Sequence, residues 1–171
     1  MRLSAAVFIC FSAAPVWADC AVDQTLFLGC HIEGRNRVVS VCYDQSTAVY
    51  TYGAPGQIPE LTLREDIATL DYAPWPGVGR AIWETVTFHN GDYSYSVTGG
   101  FDRMPSDDPD ADVETTSFGG VMVSQDGAVI SDLTCATKGL AFEWADTLFA
   151  AKTATGATYD PATQSWSQTN K

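Results

Sequence analysis

Histidine is scarce in this sequence, since only His31 and His89 occur among 171 residues. Neither lies in a metal-ligand spacing or in a recognisable nucleophile motif. His31 does follow Cys30, but neighbouring residues of a strand point to opposite faces of the sheet, so the two do not form a Cys–His catalytic pair. Hydrolysis by a serine or cysteine triad therefore has no support, and no cofactor is expected.

Basic residues are also few, because nine lysines and arginines stand against 21 aspartates and glutamates, for a net charge of −12 at pH 7. Nucleic acids and anionic lipids are bound largely through Lys and Arg, which neutralise phosphate groups. The charge balance therefore argues against both as partners and favours a basic protein. A solubilising surface explains the same charge without any partner.

Long apolar runs are missing except at residues 3–11, and that run is too short for a membrane helix of about 20 residues. It lies between Arg2 and the small residues Val16 and Ala18. This order is typical of a secretory signal peptide, cleaved here after Ala18. We therefore expect a signal peptide at residues 1–18 and no integral membrane span.

Cleavage at that point leaves a mature chain of residues 19–171, the size of a single domain. Asp19 directly precedes Cys20 and disfavours the alternative of a lipoprotein, whose lipidated cysteine follows a small uncharged residue. We expect a periplasmic or secreted protein. The oligomeric state has no signal in the sequence.

Signal-peptide removal takes away one of five cysteines and leaves Cys20, Cys30, Cys42 and Cys135. An even number of cysteines in an exported chain predicts two disulfides, with three possible pairings. A hairpin turn centred on Asn36 sets Cys30 opposite Cys42 and leaves Cys20 for Cys135, so we favour this pairing. A zinc site is the alternative, but the sequence has no Cys-x-x-Cys spacing.

Turn residues separate short alternating segments at the spacing typical of antiparallel β proteins. The clearest hairpin surrounds Asn90-Gly91, where we expect a type I′ turn with Phe88 opposite Tyr93. Asp126-Gly127 marks a second hairpin. The order of about eight strands predicts a mostly β fold, either an antiparallel β-barrel or a two-sheet sandwich.

After residue 139 the apolar period lengthens, because Leu140, Trp144, Leu148 and Lys152 follow one another at i, i+4. This period predicts one C-terminal amphipathic helix at about residues 139–152. Residues 104–114 contain two prolines and five acidic side chains, so we expect an exposed acidic loop at about 104–117.

Within this loop, Asp108, Asp110 and Asp112 alternate like the first ligands of a calcium loop. An EF-hand loop also needs glycine at its sixth position and glutamate at its twelfth, where this chain has Val113 and Gly119. The three aspartates are therefore a weak calcium candidate, and no other metal site is expected.

Candidate binding residues are Trp75, Arg80 and Glu84, and no catalytic residue is assigned. Glu84 falls on the apolar face of its predicted strand, where a carboxylate needs a partner such as Arg80 or Arg103. Trp75 stands between two prolines, a stiff segment that can present the indole to a ligand or plug the end of a barrel.

Several segments resemble small exported proteobacterial proteins of uncharacterised function. They are the cysteine-flanked basic hairpin of residues 30–42, Tyr50-Thr51-Tyr52-Gly53, Glu60-Leu61, residues 74–80 and Ile82-Trp83-Glu84. This resemblance implies export and no particular activity. In size, disulfides and β content the chain is also similar to periplasmic lysozyme inhibitors, although their inhibitory loop motif is not present.

These observations favour a non-enzymatic exported binding module, whose partner is a basic protein such as a wall-degrading enzyme. One alternative is a hydrolase that acts through carboxylates, which requires Glu84 to lie in a concave pocket beside a second acid. The other alternative is a structural protein of the cell envelope.

Overall fold

The computed structural model describes residues 20–104, 114–144 and 146–168, so the predicted signal peptide and the three aspartates of the calcium candidate lie outside the described residues. These described residues are mostly β, with antiparallel sheets and one helix. They form an open, sandwich-like arrangement rather than a closed barrel, which decides between the two predicted architectures. Within the described residues, no helix is long and apolar enough to cross a membrane.

The described residues form twelve strands, where about eight were expected. They are β1 (Thr25–His31), β2 (Val38–Tyr43), β3 (Thr47–Gly53), β4 (Leu61–Asp66), β5 (Asp71–Ala73), β6 (Ala81–Asn90), β7 (Tyr93–Met104), β8 (Glu114–Gln125), β9 (Ala128–Thr134), β10 (Ala141–Phe142), β11 (Ala157–Asp160) and β12 (Ser165–Gln168). The helix α1 covers Asp146–Ala154. Strands as short as β5 and β10 escape sequence analysis because two or three residues cannot display a period of two.

The first sheet has the order β10-β1-β2-β3-β4, the second has the order β5-β6-β7-β8-β9, and β11 pairs with β12 alone. Alternation gives each large sheet one apolar face. Val39, Val41 and Tyr43 of β2 are buried on the face of the first sheet, and Val86 and Phe88 of β6 are buried on the face of the second. All five belong to one core cluster between the sheets.

The β6–β7 hairpin has a different register from the predicted one. Asn90 pairs with Tyr93, and Phe88 pairs with Tyr95 rather than Tyr93. Gly91 is the first central residue of the two-residue turn and has a φ of 60°, as a type II′ turn requires. The slip of two residues keeps every side chain on its expected face, because the side-chain period of a strand is two.

The Asp126-Gly127 hairpin is present as expected, with positive φ at both residues and Gln125 paired with Ala128. Farther along, a bulge between Val123 and Ser124 shifts the register by one residue. β8 also begins earlier than expected, at Glu114, so residues 114–117 belong to a strand and not to the predicted acidic loop.

The predicted disulfide pairing is wrong, although all four cysteines are bonded. Cys20 bonds Cys42, which we call the N-terminal disulfide, and Cys30 bonds Cys135, which we call the intersheet disulfide. The β1–β2 register sets Cys30 opposite Val39 instead of Cys42. Two disulfides are consistent with an oxidising, extracellular compartment.

The helix begins seven residues later than its apolar period suggested. Phe142 pairs with Leu28 of β1, and its ring packs edge-to-face on Phe27 and directly over Gly99. This packing holds the segment as strand β10. After α1 the chain turns at Gly156, which has a φ of 92°.

Candidate functional site

A pocket of about 280 Å³ opens beside the loop at residues 74–77. Its walls come from this loop, from β6, from the segment around the start of α1, and from the β11–β12 hairpin. The side chains that define its chemistry are four aromatic rings and two acids: Trp75, Trp144, Phe149, Tyr159, Glu84 and Asp146. Two of the three residues named from sequence as binding candidates, Trp75 and Glu84, are therefore brought together.

Glu84 is the buried acid of this pocket, with only 2% of its surface exposed. Its strand alternates, so it shares the inward face with Val86 and Phe88. The hydroxyl of Tyr72, on the neighbouring strand β5, donates a hydrogen bond to Glu84 Oε1. Burial, and then the charge of Glu84, raise the pKa of Tyr72 far above its ordinary value of 10.0, so this tyrosine remains a donor.

The two arginines expected near Glu84 make their bonds elsewhere. Arg80 forms a two-point ion pair with Asp102, with both N···O distances at 2.7 Å. Arg103 donates to the carbonyls of Arg80 and Gly79, each at 3.0 Å. Arg80 is thus a surface residue that fixes the strand end beside the loop, and it does not line the pocket.

Trp75 lies half-buried against the pocket. Its indole N–H donates to the carbonyl of Val78 at 3.0 Å, which closes the loop on itself. Its ring packs edge-to-face on Trp144, with 6.0 Å between ring centres, and the Arg103 guanidinium lies 5.9 Å from its centre. With no closed barrel to plug, Trp75 forms a wall of the pocket.

The C-terminal part of the chain supplies the remaining walls. Phe149 of α1 contacts both Tyr159 and Trp166, with ring centres 6.3 and 5.2 Å apart. Asp146 accepts a hydrogen bond from the indole of Trp144 and stays exposed at the start of α1. The i, i+4 period placed Trp144 on the apolar stripe of the predicted helix, whereas Phe149, Asp146 and Tyr159 were not among the predicted binding residues.

Lys152 holds α1 in place beside the pocket. Its side chain is 2% exposed, and its ammonium donates to the carbonyls of Ile67, Ala68 and Leu70 at 3.1, 3.3 and 2.7 Å. Burial lowers the pKa of Lys152, and the charge of Asp71 partly opposes this effect. The sequence placed Lys152 on the apolar stripe of the helix, and that placement was the available signal for a buried cation.

Two larger depressions lie on the first-sheet side of the molecule. One runs between α1 and the start of β1, with about 630 Å³, and the other lies beside Cys20 and β2, with about 690 Å³. Their acids, Asp23, Asp44 and Glu143, are exposed or half-buried. A buried carboxylate among aromatic rings distinguishes the smaller pocket.

Other chemistry is limited within the described residues. No group of three or more His, Cys, Asp or Glu side chains is placed to hold a metal ion. His31 is half-buried on β1 and His89 is exposed near the β6–β7 turn. The four described cysteines are oxidised, so none of them offers a thiol nucleophile.

Comparison with known proteins adds no family to this description: the chain has no significant match to a protein-family model, a curated protein or a solved structure.

Proposed function

We propose that this protein is an exported binding module that takes a cationic group, such as a lysine or arginine side chain of a basic partner, into the pocket of Trp75 and Glu84. The observation that carries the proposal is a nearly buried carboxylate, Glu84, in a pocket with four aromatic side chains and a second acid, Asp146.

Aromatic rings and carboxylates both attract cations. The face of an indole or phenol ring carries negative potential, and a cation over it gains about 0.5–2 kcal/mol, more when it is shielded from water. Arg103 already lies 5.9 Å from the centre of Trp75, so one cation uses this ring within the protein itself. Glu84 and Asp146 add the charge that favours an ammonium or guanidinium over a neutral group.

The surface around the pocket fits the same class of partner. A net charge of −12 attracts basic proteins over a distance and raises their association rate at low ionic strength. In a periplasmic or secreted setting, a basic wall-degrading enzyme such as lysozyme has this chemistry. The pocket would then receive one exposed cationic side chain, and the acidic surface would orient the partner.

Calorimetric titration of the oxidised protein with lysozyme tests the proposal. We expect binding that weakens as salt is added, and about 10- to 100-fold weaker binding for Glu84→Gln, because a charge-assisted contact contributes about 1.5–3 kcal/mol. Trp75→Ala should weaken binding about tenfold. Asp92→Asn removes one charge from the exposed hairpin tip and serves as the matched control, with unchanged affinity expected.

Competition by butylammonium, a small cation without other recognition groups, checks the pocket directly. It should reduce lysozyme binding to the wild type more than to Glu84→Gln. Equal affinity of Glu84→Gln and wild type for lysozyme would remove the pocket from the proposal. The absence of binding to lysozyme and to other basic proteins of the periplasm would remove the proposed function.

A second candidate, a carboxylate-dependent glycoside hydrolase, is favoured by one observation. Glu84 and Asp146 line the same pocket, which meets the condition set for a hydrolase from the sequence. A buried acid and a more exposed acid are the pair that such enzymes use as proton donor and nucleophile or base. Hydrolysis of a cell-wall glycan by the wild type and its loss in both Glu84→Gln and Asp146→Asn would favour this candidate.

A further inference from the structure

The outer face of the second sheet carries a pattern that the pocket does not use. Alternation along β6 buries Glu84, Val86 and Phe88, and therefore turns the residues between them outwards. The strand register arranges these outward residues in rows across β6, β7 and β8. The three central rows are Trp83, Gly100 and Phe118; Thr85, Thr98 and Gly120; and Thr87, Ser96 and Met122. We call these nine residues the outer face.

The first row is an apolar platform. A Cβ on Gly100 would lie 2.6 Å from Cζ of Phe118 and 2.9 Å from Cβ of Trp83, so the Phe118 ring extends over the glycine and Trp83 lies directly beside it. Phe118 is 36% exposed, and Met122 at the other end of the same strand face is 44% exposed. Aromatic surface of this kind is available to stack on a flat, partly apolar ligand.

The other two rows are lined by hydroxyl groups. Thr85 and Thr98 share a hydrogen bond of 2.8 Å, and Thr87 and Ser96 share one of 3.0 Å. A hydroxyl has one donor and two acceptor sites, so each pair keeps acceptor capacity for a ligand. The pairs are about 7 Å apart along the strands, because alternate residues of a strand repeat at this distance.

None of the nine residues of the outer face is charged, and the third row ends in two exposed acids, Asp71 beside Thr87 and Asp132 beside Met122. At one end, the acid Asp102 is already paired with Arg80. A basic protein is expected to bind the acidic parts of the surface. A nucleic acid or an anionic lipid is bound through Lys and Arg, which the outer face lacks. An uncharged ligand with many hydroxyl groups and apolar ring faces matches both the platform and the hydroxyl rows.

We propose that the outer face binds a neutral polysaccharide chain. A sugar ring stacks on Phe118 and Trp83, and its hydroxyls bond the rows of Thr85–Thr98 and Thr87–Ser96. This site is separate from the pocket, since Trp83 and Glu84 are neighbours on one strand and point to opposite faces. The proposal therefore does not depend on the cation-binding function.

The first test measures how much of the oxidised protein insoluble chitin and insoluble cellulose remove from solution. The second test measures binding of a soluble linear β-glucan by calorimetry. We expect binding to at least one of these neutral polymers, little affected by salt. Phe118→Ala and Trp83→Ala should each weaken it at least tenfold. The double variant Thr85→Val/Thr98→Val keeps strand-forming side chains, removes two hydroxyls and should also weaken binding.

The matched control is Ile58→Ala, which removes an exposed apolar side chain, 90% accessible, from a loop elsewhere. It should bind as the wild type does, and the denaturant midpoint of every variant reports whether the fold is kept. Binding to none of the polymers would overturn the proposal, as would binding that Phe118→Ala and Trp83→Ala leave intact. Self-association that Phe118→Ala abolishes would assign the face to a second copy of the chain and overturn it as well.

Discussion

Replacing Lys152 with methionine is the perturbation whose cost can be worked out most directly. Methionine fills a similar volume but donates no hydrogen bond. The wild-type ammonium donates hydrogen bonds to three carbonyls, those of Ile67, Ala68 and Leu70. The Ala68 carbonyl also accepts a bond from the Gln168 side chain at 3.2 Å, so it keeps a partner in the variant.

Two carbonyls, those of Ile67 and Leu70, then lose the ammonium in a buried setting. An unsatisfied buried acceptor costs about 1–3 kcal/mol, which gives about 2–6 kcal/mol for the two. Methionine also relieves the cost of keeping an ammonium out of water, which offsets part of this loss. We expect Lys152→Met to lower the free energy of unfolding by about 3 kcal/mol, a large part of the 5–15 kcal/mol typical of a domain.

Urea unfolding of the oxidised protein, followed by tryptophan fluorescence, measures this difference. Lys138→Met is the matched control, because Lys138 is exposed and its loss should change stability by less than about 0.5 kcal/mol. Since α1 carries Asp146 and Phe149 of the pocket, Lys152→Met should also weaken binding of the cationic ligand. A loss of stability below about 1 kcal/mol would show that the three carbonyls do not depend on Lys152.

Three other expectations concern stability. Replacing both Cys30 and Cys135 with alanine should lower the free energy of unfolding by about 4.8 kcal/mol, and removing the N-terminal disulfide should lower it by about 3.4 kcal/mol, because the longer loop of 105 residues has more entropy than the loop of 22 residues. A larger loss for the N-terminal disulfide in urea unfolding, or a different pairing in non-reducing peptide mapping, would contradict this expectation. Gly99→Ala should cost about 1–3 kcal/mol, since its Cβ would lie 2.3 Å from the Phe142 ring, and an unchanged midpoint would refute that contact. Tyr72 keeps its proton in the folded state above pH 10 and loses it when unfolded, so its contribution to stability is complete below pH 10 and declines above it. In a spectrophotometric titration, part of the tyrosinate absorbance should appear only with unfolding, and ionisation of every tyrosine before unfolding would contradict this expectation.

Local sequence patterns predicted the faces of the strands better than their pairing. Phe88 is inward in both the predicted and the observed register, because a slip of two residues conserves the face. What the pattern could not specify was the position of the turn. Gly91 is acceptable as the second residue of a type I′ turn and as the first residue of a type II′ turn, so the local sequence allows both registers.

The disulfide error has the same origin, with a larger consequence. A symmetric hairpin about Asn36 was a reasonable assumption, but the pairing of His31 with Val38 centres the turn nearer to Gly34 and Arg35. Cys30 is then free to meet Cys135, which joins the second sheet to β1 through a bridge at Ile32. Contacts over a hundred residues of sequence are set by the packing of two sheets, and no local period reports on that packing.

The candidate site illustrates which parts of a site are visible in a sequence. Glu84 could be predicted as a site residue because it is a carboxylate on an otherwise apolar strand face. This pattern is visible in the sequence of a single strand. Its partner Tyr72 could not be predicted, because that tyrosine is an ordinary buried aromatic until β5 is paired with β6. Asp146 and Phe149 reach the pocket only because β10 delays the start of α1 and Lys152 fixes the helix over residues 67–70. A short sequence pattern predicts that Glu84 is a buried acid. The aromatic side chains around it come together only in the tertiary fold, and they are what favours a cationic ligand. The class of ligand can therefore be proposed only from the structure.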